Sequence, residues 1–442
     1  MNYIQITDKQ RQDMLRAVGA AGIDDLLRQV PDAYRLTGPL DLPPAMDEMT
    51  LRGHLASLAA QNRTEKVCFL GAGAYDHFIP AVVDALAMKG EFVTAYTPYQ
   101  AEASQGALQA FFEFQTMVCQ LTGMDVANAS LYEGATALAE GVLMALNITG
   151  KRQVLVSRGV HPHYRQVLRT YLSDLPAAYI EVPLKGTVTD TLALENELDA
   201  DTAAVVVQSP NFLGLIEAVD TIVKFAHANE SLCIQAFNPL SLGILKRPGE
   251  MDVDIAAGEG QPLGIPLSFG GPYLGLFACK QQYMRKMPGR LVGQTVDADG
   301  RRAFCLTLQT REQHIRREKA TSNVCTNQGL LALRASVYLA AMGPKGLRRV
   351  AQLCHNKAAY LAGRLGEAGL EVLNSRHPFF NELLVRPKRP VQQVLEDASA
   401  ANMLAGHPID KDYPELPNCL LIAVTEKRTK AEMDQLVQIL RG

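Results

Sequence analysis

The sequence lacks several features that would assign it to a particular class of protein. No run approaches about 18 uncharged apolar residues, so we expect no transmembrane helix. The eight cysteines are scattered singly and no pair has C-x-x-C spacing, so the sequence predicts neither a metal site nor a thiol redox motif. The 43 Lys and Arg residues nearly balance the 46 Asp and Glu residues, leaving a formal charge of -3. This balance gives no reason to expect binding to nucleic acid or to an anionic membrane.

The first residues and the cysteine contexts predict the compartment. MNYIQITDKQ has no basic segment followed by an apolar core, so we expect no signal peptide. Single cysteines within apolar runs such as VCFL and LCIQAF are typical of buried reduced thiols. We therefore expect a cytoplasmic protein. Its 442 residues are enough for one large domain and a smaller one.

Three regions differ in their hydrophobic pattern. Residues 1–62 contain short amphipathic segments, with a capping box between Thr7 and Gln10, and predict an N-terminal helical arm. Residues 63–327 alternate short apolar strands with amphipathic helices and predict a large α/β domain with a mostly parallel seven-stranded sheet. Residues 328–442 begin with a long helical stretch and continue as strand, strand, helix, strand and helix. This tail predicts a small C-terminal α+β domain. The seven strand candidates are VCFLGAG, VLVSRG, AAYIEV, AAVVVQSP, LCIQAF, DIAAGEG and YLGLFAC.

Three features of the middle region are candidates for a cofactor site. In SLYEGATALAEG, Gly134, Ala135 and Thr136 begin a predicted helix whose free N–H groups and positive dipole end suit a phosphate, although tight loop packing would explain the same glycine. His161 lies between a strand and a helix, where it can stack on a planar cofactor or serve as a hydrogen-bonded structural residue. The strands LCIQAF and DIAAGEG are each followed by a polar loop, and ligands of open α/β sheets gather at strand C-termini.

These features, in this order, resemble the pyridoxal-phosphate (PLP) enzymes of fold type I. Longer strings are similar to the α subunit (subunit 1) of the glycine decarboxylase P-protein in its two-chain bacterial form. The resemblance covers essentially the whole chain, including the tail VTEKRTKAEMDQLV, and implies a PLP-dependent transferase-like fold of type I. The strings are FLGAGAYDHFIP, AYTPYQAEASQG, SLYEGATA, NFLGLIE, GIPLSFGGPYLG and REQHIRREKATSNVCTNQ.

Two groups that a PLP enzyme requires are missing from the places where the resemblance puts them. Such an enzyme holds its cofactor through a lysine and keeps the pyridine nitrogen protonated with a carboxylate. Aligning the family's Gly-Gly-Pro turn places Gln261 at the lysine position, and aligning Asn238 places Gln235 at the carboxylate position. Glutamine cannot form an imine, and its neutral amide cannot stabilise a pyridinium. The resemblance therefore implies no catalytic residue within this chain alone. The vestigial cofactor-site positions are Gly134, Ala135, Thr136, His161, Gln235 and Gln261.

Two segments are expected to complete the active site of a catalytic β subunit across a subunit interface. AYTPYQAEASQG is a rigid polar loop, and REQHIRREKATSNVCTNQ carries basic residues directly before hydroxyl groups that can orient an anion. The resemblance suggests that Thr321 or Ser322 reaches the neighbour's PLP phosphate. An ordinary surface loop and a solvated charged face would explain the same residues without it. The predicted interface residues are Tyr96, Tyr99, Gln100, Glu102, Ser104, Arg316, Lys319, Thr321, Ser322 and Asn323.

The resemblance implies a non-catalytic α subunit of a heteromeric glycine decarboxylase, of α2β2 composition. In the complex, PLP is bound covalently by the β subunit, glycine loses CO2, and the aminomethyl group passes to the lipoyl group of the H-protein. An alternative is a self-sufficient aminotransferase or lyase of fold type I that uses Lys246 or Lys280. A third hypothesis is a binding or regulatory protein that has no catalytic partner.

Overall fold

A computed structural model describes residues 6–36, 38–93, 98–268, 270–324 and 326–442. Tyr96, one of the predicted interface residues, lies outside these ranges. The chain divides into two compact units, Met1–Thr64 and Glu65–Gly442. The predicted division at residue 327, between a large and a small domain, stays a prediction. Within the described ranges, no helix is both long enough and apolar enough to cross a bilayer.

The described residues of the N-terminal unit form three α-helices, α1 (Asp8–Ala17), α2 (Ile23–Leu26) and α3 (Glu48–Ala59). The capping box expected at α1 is present. The Thr7 N–H donates to Gln10 Oε1 at 2.8 Å, and the Gln10 N–H donates to Thr7 Oγ1 at 3.3 Å. None of the residues in these helices is buried, so the amphipathic pattern that predicts them does not bury a core within this unit.

The second unit contains both helices and strands. The helices are α4 (Ala81–Ala87), α5 (Gly90–Val93), α6 (Gln105–Thr122), α7 (Gly134–Thr149), α8 (Pro162–Leu172), α9 (Thr191–Glu197), α10 (Val219–Ala228), α11 (Gln313–Arg316), α12 (Gly329–Glu367), α13 (Val391–Ala400) and α14 (Lys430–Arg441). The strands are β1 (Val67–Cys68), β2 (Val126–Ala127), β3 (Gln153–Ser157), β4 (Ala178–Val182), β5 (Leu184–Lys185), β6 (Val188–Thr189), β7 (Thr202–Gln208), β8 (Leu232–Phe237), β9 (Ile255–Glu259), β10 (Gly275–Cys279), β11 (Leu291–Val296), β12 (Arg302–Thr307), β13 (Glu371–Val372), β14 (Glu382–Arg386), β15 (Met403–Leu404), β16 (His407–Pro408) and β17 (Leu420–Ala423).

A seven-stranded sheet with the order β2-β10-β9-β8-β7-β3-β4 forms the centre of the second unit. The pairs from β9 through β8, β7 and β3 to β4 are parallel, whereas β10 runs antiparallel to both of its neighbours. Every residue of β8 is buried, as expected for a strand covered on both faces. The predicted mostly parallel α/β sheet is therefore confirmed.

One of the seven strand predictions is wrong about its sheet. VCFLGAG contributes only Val67–Cys68, which pairs in parallel with Met403–Leu404 rather than with the central sheet. The Phe69 side chain is fully buried in the apolar cluster of the C-terminal region, so packing holds this segment there. The seventh central strand is instead Val126–Ala127, which at two residues is too short to give a periodic sequence signal.

The C-terminal part contains a four-stranded antiparallel sheet, β13-β14-β17-β16. The second half of α12 packs with α14 over an apolar cluster that includes Leu361, Leu383 and Leu436. The long helix predicted after residue 328 is kinked, because Gly343 has φ 59° and ψ 178° directly before Pro344. The strand, strand, helix, strand, helix pattern of the tail is thus present, with two short strands added.

Candidate functional site

The predicted phosphate-binding site at the start of α7 is occupied by side chains of this chain. Glu133 caps the helix: its carboxylate accepts hydrogen bonds from the Ala135 N–H at 2.7 Å and the Thr136 N–H at 3.1 Å. The Gly134 N–H donates to Glu259 Oε2 at 3.0 Å. Three N–H groups that would suit a phosphate are therefore bound to two carboxylates, which also place negative charge where a phosphate would have to enter.

Glu259 reaches this helix from the C-terminal end of β9. Its other oxygen accepts hydrogen bonds from the N–H groups of Gln261 at 2.9 Å and Leu274 at 3.0 Å. Burial raises the pKa of Glu259 to about 7, against the opposing effect of these N–H donors. The residue therefore links the loops after β9 and before β10 to the start of α7.

His161 stacks on a tyrosine of the same chain. Its ring lies 4.8 Å from the Tyr164 ring, with the two planes inclined by 20°. His161 Nε2 lies 2.8 Å from the Ala72 carbonyl oxygen, and Nδ1 accepts the His163 N–H at 3.1 Å, which defines an Nε2–H tautomer. Burial lowers the pKa of His161 to about 4, so the ring is neutral at pH 7. His161 is thus a hydrogen-bonded residue whose ring stacks on Tyr164 in this structure, and stacking on a cofactor stays a prediction.

Tyr164 also extends to the start of α7. A Cβ built on Gly134 would lie 2.2 Å from the Tyr164 hydroxyl oxygen, so only glycine fits beside it. Tyr164 therefore spans the distance between His161 and the predicted phosphate-binding site. Sequence reasoning missed Tyr164, Glu133 and Glu259. The one available signal was the carboxylate of Glu133 directly before the helix, because an oxygen at that position commonly caps a helix.

The two glutamines are buried, Gln235 within β8 and Gln261 just after the end of β9. Gln261 Oε1 accepts a hydrogen bond from the Tyr75 N–H at 2.9 Å. Its Nε2 donates hydrogen bonds to the carbonyl oxygens of Tyr75 at 3.0 Å and Ile265 at 2.9 Å. Gln235 lies on β8 and donates Nε2 to the Ser209 carbonyl at 3.5 Å, while its Oε1 has no partner among the described residues. Gln261 is thus a fully bonded link between two loops.

The cavity left among these residues is too small for a cofactor. Its volume is about 30 Å³, and Gly73, Tyr75, His161, Tyr164 and Glu259 are among the residues that line it. Small-molecule sites usually enclose about 300–1,000 Å³. The described residues therefore do not fit PLP. Protein side chains fill the face of His161, the predicted phosphate-binding site at the start of α7 and the space between them.

The two alternative lysines are held in ion pairs. Lys246 Nζ lies 2.7 Å from Asp220, at the surface. Lys280 Nζ lies 2.8 Å from both Asp252 and the buried Asp254. Burial lowers the pKa of Lys280, but hydrogen bonds to the two aspartates outweigh burial and raise the pKa above its usual value. A charged amine cannot attack a carbonyl, so Lys280 is poorly suited to hold an aldehyde cofactor.

The first interface segment is described from residue 98 onward. Tyr99 is 52% exposed, and its hydroxyl oxygen accepts a hydrogen bond from Arg290 Nη2 at 2.8 Å. The guanidinium also lies 5.1 Å from the centre of the Tyr99 ring. Arg290 is only 4% exposed, and its Nε and Nη1 have no partner within the described part of the chain. Sequence reasoning missed this arginine, because MPGRLVG gives no sign that the side chain is buried.

The other residues of this segment surround the start of α6. Gln100 and Glu102 are exposed, and Ser104 is half-buried at the helix N-cap, where its side chain forms no capping bond. Gln105 anchors the segment, because its Nε2 donates to the carbonyl oxygens of Ala101 at 2.9 Å and Phe304 at 2.8 Å. The loop is therefore fixed at its C-terminal end and presents polar side chains to solvent.

The second interface segment borders two large cavities. Arg316 and Lys319 line a cavity of about 450 Å³, called here the basic cavity; its other charged lining residues are Arg285, Lys286 and Arg311. Thr321 and Asn323 line a cavity of about 670 Å³, called here the Glu140 cavity after the buried glutamate in its wall. Ser322 Oγ accepts the Val324 N–H at 3.1 Å, which fixes the turn between them. Thr321 and Asn147 line both cavities.

One group of potential metal ligands occurs among the described residues. Ligand atoms of His77, Cys354 and Glu426 lie within 4.8 Å of one another. The Glu426 carboxylate already contacts His77 Nδ1 at 2.7 Å and accepts the Phe78 N–H at 2.6 Å. Burial would raise the pKa of Glu426, but these hydrogen bonds outweigh burial and lower the pKa to about 2. The contacts describe a hydrogen-bonded cluster, and we assign no metal to it.

The fold is that of PLP-dependent enzymes of fold type I. The chain superposes on a sphingosine-1-phosphate lyase of Burkholderia pseudomallei with a TM-score of 0.67 over 93% of this chain and 94% of that chain, at 13% identity. It superposes on a cysteine desulfurase of Thermococcus onnurineus with a TM-score of 0.62 over 90% of this chain and 98% of that chain, at 15% identity. These distant relatives share the architecture.

Closer comparisons identify the family. Residues 1–440 match the family model of the glycine cleavage system P-protein. The chain is 52% identical over 437 residues, 98% of this chain and 97% of the relative, to a probable glycine dehydrogenase (decarboxylating) subunit 1 of Geobacillus kaustophilus. A crystal structure of glycine decarboxylase (P-protein) in inhibitor-bound form superposes with a TM-score of 0.91 at 46% identity, over 100% of this chain and 99% of that chain. The chain belongs to the glycine cleavage system P-protein family.

Proposed function

We propose that this chain is the non-catalytic α subunit of a two-chain glycine decarboxylase. The β subunit binds PLP covalently, and the complex decarboxylates glycine, releases CO2 and transfers the aminomethyl group to the lipoyl group of the H-protein. The assembly is α2β2 and acts in the cytoplasm. The match of nearly the whole chain to relatives named subunit 1 supports a second subunit.

The observation that carries this division of labour is the filled cofactor pocket. Tyr164 covers the ring of His161, while Glu133 and Glu259 bind the three N–H groups at the start of α7. A phosphorylated pyridine ring would have to displace a tyrosine ring and two carboxylates, in a space of about 30 Å³. Such a pocket favours a structural role for this region.

The chain's contribution to the active site lies in its two interface segments. Tyr99, held by Arg290, and the exposed Gln100 and Glu102 form one polar surface. The residues from Arg316 to Asn323 form another, with cations and hydroxyl groups that can orient an anion. In this proposal both segments face the β subunit and shape its pocket, with Tyr96 and Ser104 in the first segment and Lys319, Thr321 and Ser322 in the second.

The test compares this chain alone, the β subunit alone and the co-expressed pair. We expect the isolated chain to carry no pyridoxal absorbance, and the pair to decarboxylate glycine and transfer the aminomethyl group to lipoylated H-protein. Borohydride reduction and peptide mapping should place the pyridoxyl-lysine only in the β subunit. A pyridoxyl group on Lys246 or Lys280 of this chain, or glycine decarboxylation by the chain alone, would contradict the proposal.

Co-purification separates the proposal from a role without a catalytic partner. A chain that never associates with the β subunit, at any ratio of the two, would be a binding or regulatory protein. The self-sufficient PLP enzyme is not favoured, because Lys246 and Lys280 are both paired with aspartates.

A further inference from the structure

Residues 72–78 form a segment without helix or strand, called here the strap, along one side of the filled pocket. Tyr75 lines the remaining cavity of about 30 Å³. The Ala72 carbonyl oxygen lies 2.8 Å from His161 Nε2. Gln261 exchanges two hydrogen bonds with the Tyr75 backbone, at 2.9 and 3.0 Å. The strap is therefore one wall of the pocket.

Glu382 of β14 attaches the first half of the strap to the C-terminal sheet. Its carboxyl group contacts the Ala72 N–H at 2.8 Å and the Tyr75 hydroxyl at 2.9 Å. Glu382 is 5% exposed, and a buried carboxyl group without hydrogen-bond donors is costly. These two contacts therefore hold the strap and the sheet together.

The loop after β17 attaches the second half of the strap through Asp76. The Asp76 carboxylate pairs with Lys427 Nζ at 2.6 Å and with Arg428 Nη2 at 3.1 Å. Its carbonyl oxygen accepts a hydrogen bond from the Thr425 hydroxyl at 2.8 Å. The Arg428 side chain is only 6% exposed, so its pair with Asp76 is screened less by water than a surface pair.

Glu426 is a further point of attachment on the same loop. Its carboxylate lies 2.7 Å from His77 Nδ1 and accepts the Phe78 N–H at 2.6 Å. Two residues of α12 hold Glu426 in turn, because Lys357 Nζ donates to its carbonyl oxygen and the Cys354 thiol donates to its carboxylate at 3.4 Å. The long helix therefore supports the loop that holds the strap.

The backbone at the start of the strap is strained. Ala72 has φ 57°, in the left-handed region that residues with a Cβ atom seldom adopt. Such a conformation persists only where surrounding contacts hold it. The contacts with Glu382 and with the loop after β17 therefore keep the strap in a conformation that it would leave if they were lost.

We propose that the strap is a releasable lid, which seals the pocket of this chain and exposes His161 when the loop after β17 moves away. The contacts that hold the lid come from the C-terminal part, whereas the pocket beneath it is built by loops of the central sheet. The strap therefore couples the position of the C-terminal sheet to the closure of the pocket. The proposal goes beyond the proposed function and does not depend on it, because every contact that holds the strap lies within this chain.

The first measurement compares two histidines in the wild-type chain. Diethyl pyrocarbonate transfers an ethoxyformyl group to a neutral imidazole nitrogen and releases ethanol and carbon dioxide. His161 is 8% exposed beside the strap, whereas His163, two residues later, is exposed. We expect His161 to react at least about tenfold more slowly than His163, since a residue under a closed segment reacts only when the segment opens. Tandem mass spectrometry of the peptide that contains both residues gives the two rates.

The double variant Asp76→Asn/Glu426→Gln tests release of the strap. It removes two carboxylate charges and keeps the size of both side chains. Asp434→Asn/Glu371→Gln, which removes the same charge from two surface ion pairs of the C-terminal part, is the matched control. We expect His161 to react at least about tenfold faster than in the wild type in the first variant only, since hydrogen bonds to charged groups are the strong ones.

A milder variant, Lys427→Met, keeps the test informative if the double variant is unstable. It removes one half-buried ion pair, so His161 should react about threefold faster than in the wild type. Hydrogen exchange should show faster exchange of the Ala72, Tyr75 and Phe78 N–H groups in the variants that release the strap. Thermal unfolding of each variant checks that it folds.

Three results would overturn the lid. They are wild-type rates at His161 in Lys427→Met and in the folded double variant, equal acceleration in the control variant, and a wild-type His161 that reacts as fast as His163. The measurements are made on the chain alone and on the co-purified pair of subunits. Absence of association between the subunits would overturn the proposed function and leave the rates in the isolated chain, and hence this proposal, unaffected.

Discussion

Tyr164 stacks on His161 with ring centres 4.8 Å apart, at the place where the fold class suggests a planar cofactor. Its hydroxyl group reaches the helix N-terminus at Gly134, where the carboxylates of Glu133 and Glu259 accept hydrogen bonds from the N–H groups. The three N–H groups at the start of this helix therefore need no ligand to satisfy them. This arrangement stabilises the fold and keeps the pocket closed.

Removing the cap of α7 should free its N-terminus to bind an anion. Glu133→Ala frees the N–H groups of Ala135 and Thr136, and loss of a capping side chain costs about 1 kcal/mol. We expect a lower free energy of unfolding, recovered in part by millimolar inorganic phosphate, because a helix N-terminus binds anions. Chemical denaturation with and without phosphate measures both effects. Asp190→Ala, which removes the cap of α9, is the control for cap loss alone. Equal phosphate effects in both variants would contradict this prediction.

Placing a lysine at position 261 should not create a PLP site. Gln261→Lys loses the hydrogen bonds to Tyr75 and Ile265 and buries a cation, which we expect to cost about 3 kcal/mol of stability. The pocket still contains Tyr164, so PLP followed by borohydride should leave no pyridoxyl group on residue 261. Peptide mapping and urea denaturation give the two readouts. Stoichiometric labelling would show that the pocket opens more readily than its contacts indicate.

Replacing Lys280 should destabilise the protein more than replacing Lys246, and neither replacement should change the PLP content of the complex. Lys280→Met leaves the buried Asp254 with a smaller set of partners and should cost about 3 kcal/mol. Lys246→Met breaks a surface pair and should cost less than about 1 kcal/mol. Thermal unfolding measures the difference. The PLP content of the assembled complex should be unchanged in both variants, and a loss of PLP in either one would revive the self-sufficient enzyme.

Glu382 should make stability depend on pH. Its carboxyl group contacts the Ala72 N–H at 2.8 Å and the Tyr75 hydroxyl at 2.9 Å, and burial raises its pKa to about 7. An unfolded glutamate titrates near about 4.3, so this group's stabilising effect is complete below that pH and is lost as pH rises through about 7. The side chain in Glu382→Gln cannot titrate. From pH 5 to pH 8 the free energy of unfolding of the variant should therefore rise relative to that of the wild type. A constant difference would contradict the assignment.

Tyr99 should contribute both to the stability of this chain, through its hydrogen bond with Arg290, and to the activity of the assembled enzyme. Tyr99→Phe removes the oxygen that accepts from Arg290 Nη2, and an unsatisfied buried donor costs about 1–3 kcal/mol. We expect lower thermal stability and about tenfold lower kcat/KM of the two-subunit enzyme. Tyr360→Phe, which removes a hydrogen bond to the surface residue Asp434, serves as the control. Unchanged kinetics in Tyr99→Phe would place this side chain away from the active site.

Much of the second unit could be predicted from local patterns. The fully apolar strand LCIQAF is β8 with every residue buried, and the tail shows its predicted order of strands and helices. The two failures have different causes. Val126–Ala127 is too short for periodicity to detect, and Val67–Cys68 pairs with Met403–Leu404, more than 300 residues further along the chain. Pairing partners at that separation depend on the packed core, which a local pattern does not record.

The sequence alone determined the alternation of strands and helices, the capping box at Thr7 and the amide side chains at positions 235 and 261, because each is a property of residue type and local spacing. Only the tertiary structure decided what fills the pocket. Glu259 meets Gly134 across 125 positions of chain, and the Tyr164 ring takes the face of His161 through the orientation of its side chain. Such contacts arise when distant segments pack and compete for the same donors and the same space.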